Sequence, residues 1–344
     1  MLNEKTEESM NSRNDQYDSP ISLDCIEDAE AQQYGGEQRT DAEIQYEEHL
    51  RGEALEEARR QNLITAEEMS KKRYSEQSFL IGPNLLPKAG KLLITAATGT
   101  GKSSISLYIS ACLATGTPLF DLRHKSKKDD RYGKPFFEVP EKSFVCYLDY
   151  EIPEALRQKL RLEPLANSFK DKNFRRNIAF PIHPSNYRLE NQRGEANPGS
   201  FDRLLGLVED TKPDVLVIDP FSSTHSLDEN SAQIKQALNN IDRIIDATGT
   251  AVILIHHATS KVPRDNKGHE INKSAIEKPR GHSVIVDWPD AHVHFEEVKQ
   301  QGQPKNKVLS MEFSKVRHGT KLKSKEIAAD FTNMTFGEVA EPDE

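Results

Sequence analysis

The pattern of hydrophobic and polar positions changes near residue 78. From there, short aliphatic runs alternate with longer amphipathic stretches, which is typical of a parallel sheet built from βα units. The predicted strands are Lys91–Thr95, Phe144–Asp149, Asn177–Ile182, Val215–Asp219 and Ala251–His256. After residue 280 shorter alternating runs predict an antiparallel extension of the sheet. Its strands are Ala291–Glu297, Lys307–Lys315 and Ile327–Phe336. The predicted fold class is therefore α/β, with a mostly parallel central sheet flanked by helices.

The first 77 residues have a different pattern. Residues 1–40 show no apolar periodicity, so we expect them to be disordered. Residues 41–63 are mostly good helix formers with few large aliphatic side chains, which predicts a solvated or partner-docking helix. We therefore predict two parts, an N-terminal arm over 1–77 and an α/β domain over 78–344.

Charge separates the same two parts. Residues 1–64 contain 17 Asp and Glu against 6 Lys and Arg, a net charge of −11, whereas the whole chain carries −9. The rest of the chain is therefore close to neutral, at about +2, and the arm is acidic. The sequence has no apolar run of membrane-spanning length and no signal peptide at its start. We expect a soluble cytoplasmic protein with no membrane partner.

A glycine-rich segment follows the first predicted strand. Residues 96–103 (AATGTGKS) fit the Walker A pattern and lead directly into an apolar helix. Backbone amides in such a loop turn towards phosphates, and the helix N-terminus adds positive charge. We expect Lys102 to contact the β- and γ-phosphates of ATP and Ser103 to contact Mg²⁺. The predicted nucleotide-binding residues are Thr98, Gly99, Thr100, Gly101, Lys102, Ser103 and Ser104.

Two other strands end in carboxylates. Asp219 ends an aliphatic strand in the Walker B arrangement, where it can hold Mg²⁺ through its water shell. The strand after the P-loop helix ends near Asp149 and Glu151, either of which can position and deprotonate an attacking water. We favour Glu151, because it lies nearer the loop. The three cysteines are scattered without metal-ligand spacing, so we expect reduced thiols.

Five motifs in this order resemble the RepA-like hexameric replicative helicases of plasmids and phages, within the RecA and DnaB superfamily. They cover roughly residues 78–337 and lie at 96–103, 147–151 (YLDYE), 216–223 (LVIDPFSS), 253–261 (ILIHHATSK) and 280–291 (RGHSVIVDWPDA). The resemblance implies a RecA-like ATPase domain that assembles as a homo-oligomer, a hexameric ring. It also implies single-stranded DNA as a partner, and a replication protein such as a primase or initiator.

The resemblance assigns further roles. Glu151 matches the catalytic glutamate, and one of His256 and His257 matches the sensor of the γ-phosphate. Because neighbouring residues of a strand face opposite ways, only one histidine can face the nucleotide, and we favour His257. Lys315 and Arg317 resemble the Lys-x-Arg finger that enters the active site of the neighbouring subunit. The alternative finger is Arg280.

Two loops are candidates for DNA binding. The segment between the sensor strand and Arg280 has more basic than acidic residues, namely Lys261, Arg264, Lys267, Lys273 and Lys278 against Asp265, Glu270 and Glu277. In RecA-type motors the corresponding loop grips DNA phosphates. A second loop, 183–200, contains Tyr187, Arg188 and Arg193. Residues 121–142 form a charged insertion to which the sequence assigns no function.

Two functions remain open from the sequence. The first is an ATP-driven ring motor that moves on single-stranded DNA during replication of a plasmid, phage or other mobile element. The second is a nucleotide-switched regulatory or assembly ATPase that unwinds nothing. The acidic arm either keeps the protein soluble, which we favour, or covers the DNA channel as a mimic of DNA.

Overall fold

The computed structural model describes residues 44–46, 48–53, 64–72, 78–123, 132–191, 198–258, 282–298, 307–320 and 322–339. The chain divides into two compact units, Met1–Arg73 and Tyr74–Glu344. In the first unit, residues 44–46 and 48–53 are helical, within the predicted helix 41–63. The other positions of that helix, and the predicted disorder of residues 1–40, lie outside the described residues. A short helix, α1 (Ala66–Lys71), begins at Thr65, whose hydroxyl accepts a hydrogen bond from the Glu68 backbone amide.

The second unit is built on one large sheet. Its strands are β3 (Lys91–Ala96), β4 (Val145–Asp149), β5 (Ile178–Ala179), β6 (Val215–Asp219), β7 (Ala251–His257), β8 (Ala291–Glu297), β9 (Lys307–Val316), β10 (Lys325–Asp330) and β11 (Thr335–Gly337). Within the described residues their spatial order is β11-β10-β9-β8-β3-β7-β6-β4-β5. The strands from β8 to β5 pair in parallel, and those from β8 to β11 pair antiparallel. Before this sheet, β1 (Phe79–Ile81) and β2 (Leu86–Pro87) form a separate antiparallel pair that the sequence did not predict.

Helices cover both faces of the sheet. They are α2 (Lys102–Thr115), α3 (Glu154–Arg157), α4 (Glu163–Ser168), α5 (Phe174–Asn177), α6 (Ser200–Thr211), α7 (Lys235–Thr248) and α8 (Val284–Asp287). A π-helical turn, Gln158–Leu162, joins α3 to α4, and single 3₁₀ turns lie at Leu119–Asp121, Pro184–Asn186, Phe221–Ser223 and Ala232–Ile234. The predicted fold class is confirmed. Within the described residues, no helix has the length and apolar character needed to cross a bilayer.

The two faces of the sheet form two separate cores. Ile253 and Ile255 pack in the core that includes α2, whereas Val252 and Leu254 pack in the core that includes α6 and α7. This alternation follows from the two-residue period of a strand. The buried central strands explain the continuous aliphatic runs in the sequence, because a parallel sheet is covered on both sides.

Two strand predictions were wrong in extent. The strand predicted over Asn177–Ile182 is only β5, Ile178–Ala179, since α5 continues to Asn177 and Pro181 has no amide hydrogen to pair. The strand predicted over Ile327–Phe336 is a hairpin of β10 and β11. Its turn forms because the Asp330 carboxylate accepts hydrogen bonds of 3.0 Å from the amides of Thr332 and Asn333.

Candidate functional site

The loop between β3 and α2 contains the predicted phosphate-binding residues. Gly99 and Gly101 have φ angles of 83° and 94°, in the left-handed region that favours glycine. Gly101 directly precedes α2, so the loop ends at the positive end of a helix of 14 residues. Such a loop and helix end suit an anion with several oxygens, such as a triphosphate.

An aromatic side chain from the C-terminal hairpin lies against this loop. A Cβ atom added to Gly101 would be 2.2 Å from Cε1 of Phe331, which is a severe overlap. The β10–β11 turn therefore packs on the P-loop. Sequence reasoning missed Phe331, because nothing in its local pattern connects it with a loop 230 positions earlier.

Lys102 is held at the base of the loop. Its Nζ atom donates hydrogen bonds of 3.0 Å to the carbonyl oxygens of Ala96 and Ala97. Burial lowers the pKa of Lys102, and the carboxylates of Asp219 and Glu151 act in the opposite direction. The ammonium group thus lies within the field of both carboxylates predicted for the site.

Asp219 and Ser103 form the candidate metal position. Asp219 ends β6 with 2% of its surface exposed, and burial raises its pKa to about 6. Hydrogen bonds from Tyr147 and Ser103 partly oppose that rise. A buried carboxylate beside a hydroxyl group provides hard oxygen ligands, so these residues fit Mg²⁺. When bound, the ion would neutralise charge on the β- and γ-phosphates.

Glu151 lies just beyond β4, in the turn leading to α3. Its side chain is half-exposed and lines a cleft of about 560 Å³, so water can reach it. His257 Nε2 is 3.8 Å from Glu151 Oε1. Burial lowers the pKa of His257, and the nearby charge of Lys102 lowers it further. A neutral imidazole therefore lies beside an accessible carboxylate.

Asp149, the alternative to Glu151, is engaged elsewhere. Its buried carboxylate receives a hydrogen bond of 2.8 Å from Arg157 Nε and lies 3.5 Å from Arg161 Nη1. The same carboxylate accepts hydrogen bonds from the amides of Glu151 and Ile152, at 3.2 and 3.3 Å. Asp149 therefore shapes the turn that carries Glu151, and Glu151 remains the candidate base.

The two adjacent histidines lie on opposite faces of β7. His257 faces the α2 side, where it lies near Glu151 and Lys102. His256 is fully buried on the other side, with Nδ1 3.9 Å from Glu229 Oε1. Of the two, His257 is therefore the histidine that lies near the P-loop lysine and Glu151.

The predicted finger residues lie at the other end of the sheet. Lys315 pairs with His292 near the start of β8, and Leu92 near the start of β3 pairs with Ala291. The P-loop follows the far end of β3, about 16 Å away at about 3.3 Å per residue. The structure therefore does not bring Lys315 and Arg317 to the P-loop of their own chain.

Several predicted residues lie outside the described part of the chain. They are Arg280, Arg193 and the basic residues Lys261, Arg264, Lys267, Lys273 and Lys278. In the second candidate loop, the Tyr187 carbonyl accepts a hydrogen bond of 2.6 Å from the Tyr150 hydroxyl. That bond ties the beginning of the loop to the end of β4.

The AAA_25 family model, described as AAA domain, matches residues 55–261, which include the P-loop, Glu151, Asp219 and His257. No curated protein matches the sequence. The similar solved structures include the following two. The KaiC-like protein PH0186 of Pyrococcus horikoshii OT3 has 15% identity over 78% of this chain and 99% of its own, with a TM-score of 0.44. The flagellar accessory protein FlaH of Methanocaldococcus jannaschii has 11% identity over 74% and 92%, with a TM-score of 0.43.

The family match covers more than half of the chain and contains the loop, the lysine and both carboxylates described above. These groups are the ones that a nucleotide-hydrolysing site requires. The chain therefore belongs to the AAA domain (AAA_25) family and is a nucleotide-hydrolysing P-loop ATPase.

Proposed function

We propose that this ATPase is an ATP-driven ring motor, of the type of the RepA-like replicative helicases, that moves along single-stranded DNA. The observation that carries the proposal is the distance between the finger residues and the P-loop of the same chain. If these cations act on a triphosphate, it is therefore one bound by another copy. A closed ring, such as a hexamer, gives every copy such a neighbour.

The contacts of the finger residues support this proposal. Arg317 Nη2 donates a hydrogen bond of 2.9 Å to the Asp287 carbonyl, and its Nη1 is 3.5 Å from Asp290 Oδ1. Lys315 Nζ also donates to the Asp287 carbonyl, at the end of α8. Nearly half of the Arg317 side chain is exposed. The cations are thus held at a surface, where a neighbouring triphosphate can approach them.

Each residue then has a role in hydrolysis. Lys102 and the loop amides bind the phosphates, and Ser103 with Asp219 would hold Mg²⁺. Glu151 orients a water molecule in the open cleft and accepts its proton as the water attacks the γ-phosphorus, while the bond from that phosphorus to the β,γ-bridging oxygen breaks and ADP leaves. Arg317 and Lys315 from the next copy stabilise the charge on the transferring phosphoryl group. His257, beside Glu151, responds to whether the γ-phosphate is present.

The DNA-binding part of the proposal rests on chain order and charge. The basic segment 259–281 begins two residues after His257 and ends just before α8, whose last carbonyls accept bonds from the finger residues. A structural change at the copy's own nucleotide site, beside His257, can therefore act on the first end of the segment. A change at the neighbouring site that Lys315 and Arg317 serve can act on its second end. Six Lys or Arg residues, Arg280 included, against three acids give the segment the charge needed to bind DNA phosphates.

A mixing experiment tests the shared site. Copies carrying Lys102→Ala and copies carrying Arg317→Ala are each expected to hydrolyse almost no ATP. When they are mixed in equal amounts and reassembled, roughly a quarter of the wild-type activity should return, because that fraction of interfaces combines an intact loop with an intact finger. If the mixture stays as inactive as its components, Arg317 does not act between copies.

DNA dependence is measured separately. For the wild type we expect single-stranded DNA to stimulate ATP hydrolysis and a forked duplex to be unwound, whereas Lys102→Ala does neither. Hydrolysis without stimulation or unwinding would instead identify the nucleotide-switched regulatory or assembly ATPase.

A further inference from the structure

A buried tyrosine is hydrogen-bonded to the candidate metal ligand. Tyr147 lies on β4, which pairs directly with β6, the strand that ends at Asp219. The Tyr147 hydroxyl donates a hydrogen bond of 2.6 Å to Asp219 Oδ2. Ser106, in the first half of α2, has its Oγ 2.5 Å from the same hydroxyl. All three side chains are almost fully buried. The chain of contacts therefore links α2 through Tyr147 to the end of β6.

The number of available protons fixes the direction of these two hydrogen bonds. A tyrosine hydroxyl has one proton, and an ionised carboxylate can only accept, so the proton of Tyr147 points to Asp219. The contact between Tyr147 and Ser106 must then use the proton of Ser106, for which the Ser103 carbonyl, 3.1 Å from Ser106 Oγ, is the other acceptor. Ser106 donates to Tyr147, and Tyr147 donates to Asp219. With Oδ2 occupied in this way, rotation of the carboxylate is restricted and Oδ1 remains for other contacts.

We propose that Tyr147 is a positioning residue that fixes the orientation of Asp219 for Mg²⁺. This role rests on the proposed use of Asp219 as a metal ligand. Groups that hydrogen-bond to metal ligands orient them and commonly decide metal affinity. The Tyr147 ring also packs near Phe180, with 5.4 Å between ring centroids, but phenylalanine would fill that space equally well. Ring packing therefore accounts for an aromatic side chain at this position but not for its hydroxyl group.

The physical reason is the burial of Asp219. A carboxylate almost without solvent has few partners to hold its orientation, and a short hydrogen bond from a hydroxyl is one of them. Without that bond, the carboxylate would be less well oriented for a metal ion.

The test measures metal-dependent nucleotide binding rather than hydrolysis. The fluorescent analogue mant-ATP is titrated into the full-length protein in EDTA and at a series of Mg²⁺ concentrations. For Tyr147→Phe we expect wild-type affinity in EDTA, but about tenfold more Mg²⁺ for half-maximal enhancement of binding. Ser106→Ala leaves the bond to Asp219 in place and should cause a smaller increase.

A matched control separates this effect from the loss of any buried hydroxyl. Tyr108, also buried on the α2 side, has its hydroxyl 3.4 Å from the Phe336 carbonyl and does not touch Asp219. Tyr108→Phe should keep the wild-type Mg²⁺ requirement. An equal increase in Tyr108→Phe, or an equal loss of Tyr147→Phe affinity in EDTA and in Mg²⁺, would overturn the proposal.

The failure of this inference differs from that of the proposed function. If Asp219→Asn raises the Mg²⁺ requirement but Tyr147→Phe does not, the positioning role of Tyr147 is refuted and the metal site stands. If the wild type binds mant-ATP with no response to Mg²⁺, or does not bind it, the proposed site itself fails.

Discussion

Gly101 is the residue where the P-loop, α2 and the C-terminal hairpin meet. Its positive φ would cost another residue about 1–2 kcal/mol, and a side chain would also collide with the Phe331 ring. Glycine is thus required twice at this position, once for the backbone and once for space.

Gly101→Ala should therefore destabilise the protein more than Gly249→Ala. Gly249 ends α7 with a φ of 72° and has open space around it, so it tests the backbone cost alone. We expect Gly101→Ala to lose about 1–3 kcal/mol more in the free energy of unfolding, measured in urea. Phe331→Ala in the Gly101→Ala background should recover most of this difference. Equal losses at both glycines would contradict the overlap.

His292 gives the fold a pH dependence. It is fully buried, with Nε2 2.7 Å from Thr95 Oγ1 and Nδ1 bonded to Ser314. Burial, followed by the nearby His294, lowers its pKa from 6.5 to about 3. Between pH 6.5 and about pH 3, this histidine therefore binds a proton in the unfolded chain but not in the folded chain. The free energy of unfolding falls as the pH falls through this window.

We expect the free energy of unfolding to fall by about 2 kcal/mol between pH 6.5 and pH 5, at about 1.4 kcal/mol per pH unit for one proton. Urea unfolding at several pH values measures it. His292→Gln cannot bind this proton, so its curve should be flatter over the same range. Parallel curves for the two proteins would show that His292 is not the group responsible.

Sequence alone identifies the residues whose chemistry is written into a short motif. Lys102, Ser103, Asp219 and Glu151 each follow a strand in a recognisable pattern, and the structure brings them to one end of the sheet. Tyr147 begins the YLDYE motif, but the motif gives it no role, and Phe331 belongs to no motif. Their contacts depend on pairing between distant strands and on the shape of a turn, which a local pattern does not contain.

At the scale of elements, the turn from β4 into α3 depends on a buried ion pair. Asp149 and Arg157 have side chains only 2% and 9% exposed, and Asp149 also holds the amides of the turn that carries Glu151. Removing one partner would leave an uncompensated buried charge.

Arg157→Leu should lower the free energy of unfolding by about 3–5 kcal/mol. ATP turnover should also fall, because the turn carrying Glu151 loses its support. Arg161→Leu is the matched control, since Arg161 is more exposed and 3.5 Å from Asp149, and it should cost less. The double variant Asp149→Asn with Arg157→Leu should recover part of the stability. No recovery would mean that shape, and not charge, dominates.

The strand positions of the large sheet were predictable, whereas the strand ends and the β1–β2 pair were less so. The aliphatic run of β6 and the alternating pattern of β8 match the structure residue for residue, because buried strands require continuous apolar or alternating sequence. The errors at β5 and at the β10–β11 hairpin arose where a proline or an aspartate side chain stops the pairing. The hydrophobic pattern alone does not show where such a residue ends a strand.

At the scale of the whole molecule, charge is divided between the two parts of the chain. The acidic first 64 residues carry −11 and the remainder about +2. A domain so near neutrality lacks the repulsion that keeps proteins apart in solution.

Deleting residues 1–64 should therefore reduce solubility near neutral pH and leave the affinity for single-stranded DNA unchanged. Light scattering and DNA titrations at several salt concentrations measure the two effects. If truncation instead strengthens DNA binding at low salt, and the gain disappears above about 0.1 M, the arm competes with DNA for the basic surface.

The separation of the P-loop and the finger along one sheet has a consequence for mixed assemblies. Each copy would belong to two catalytic interfaces at once, because its P-loop would lie in one and its Lys315 and Arg317 in the next. A copy carrying both Lys102→Ala and Arg317→Ala would silence both interfaces. In randomly mixed rings, activity would then follow the square of the wild-type fraction, so that about 30% of defective copies would already halve it.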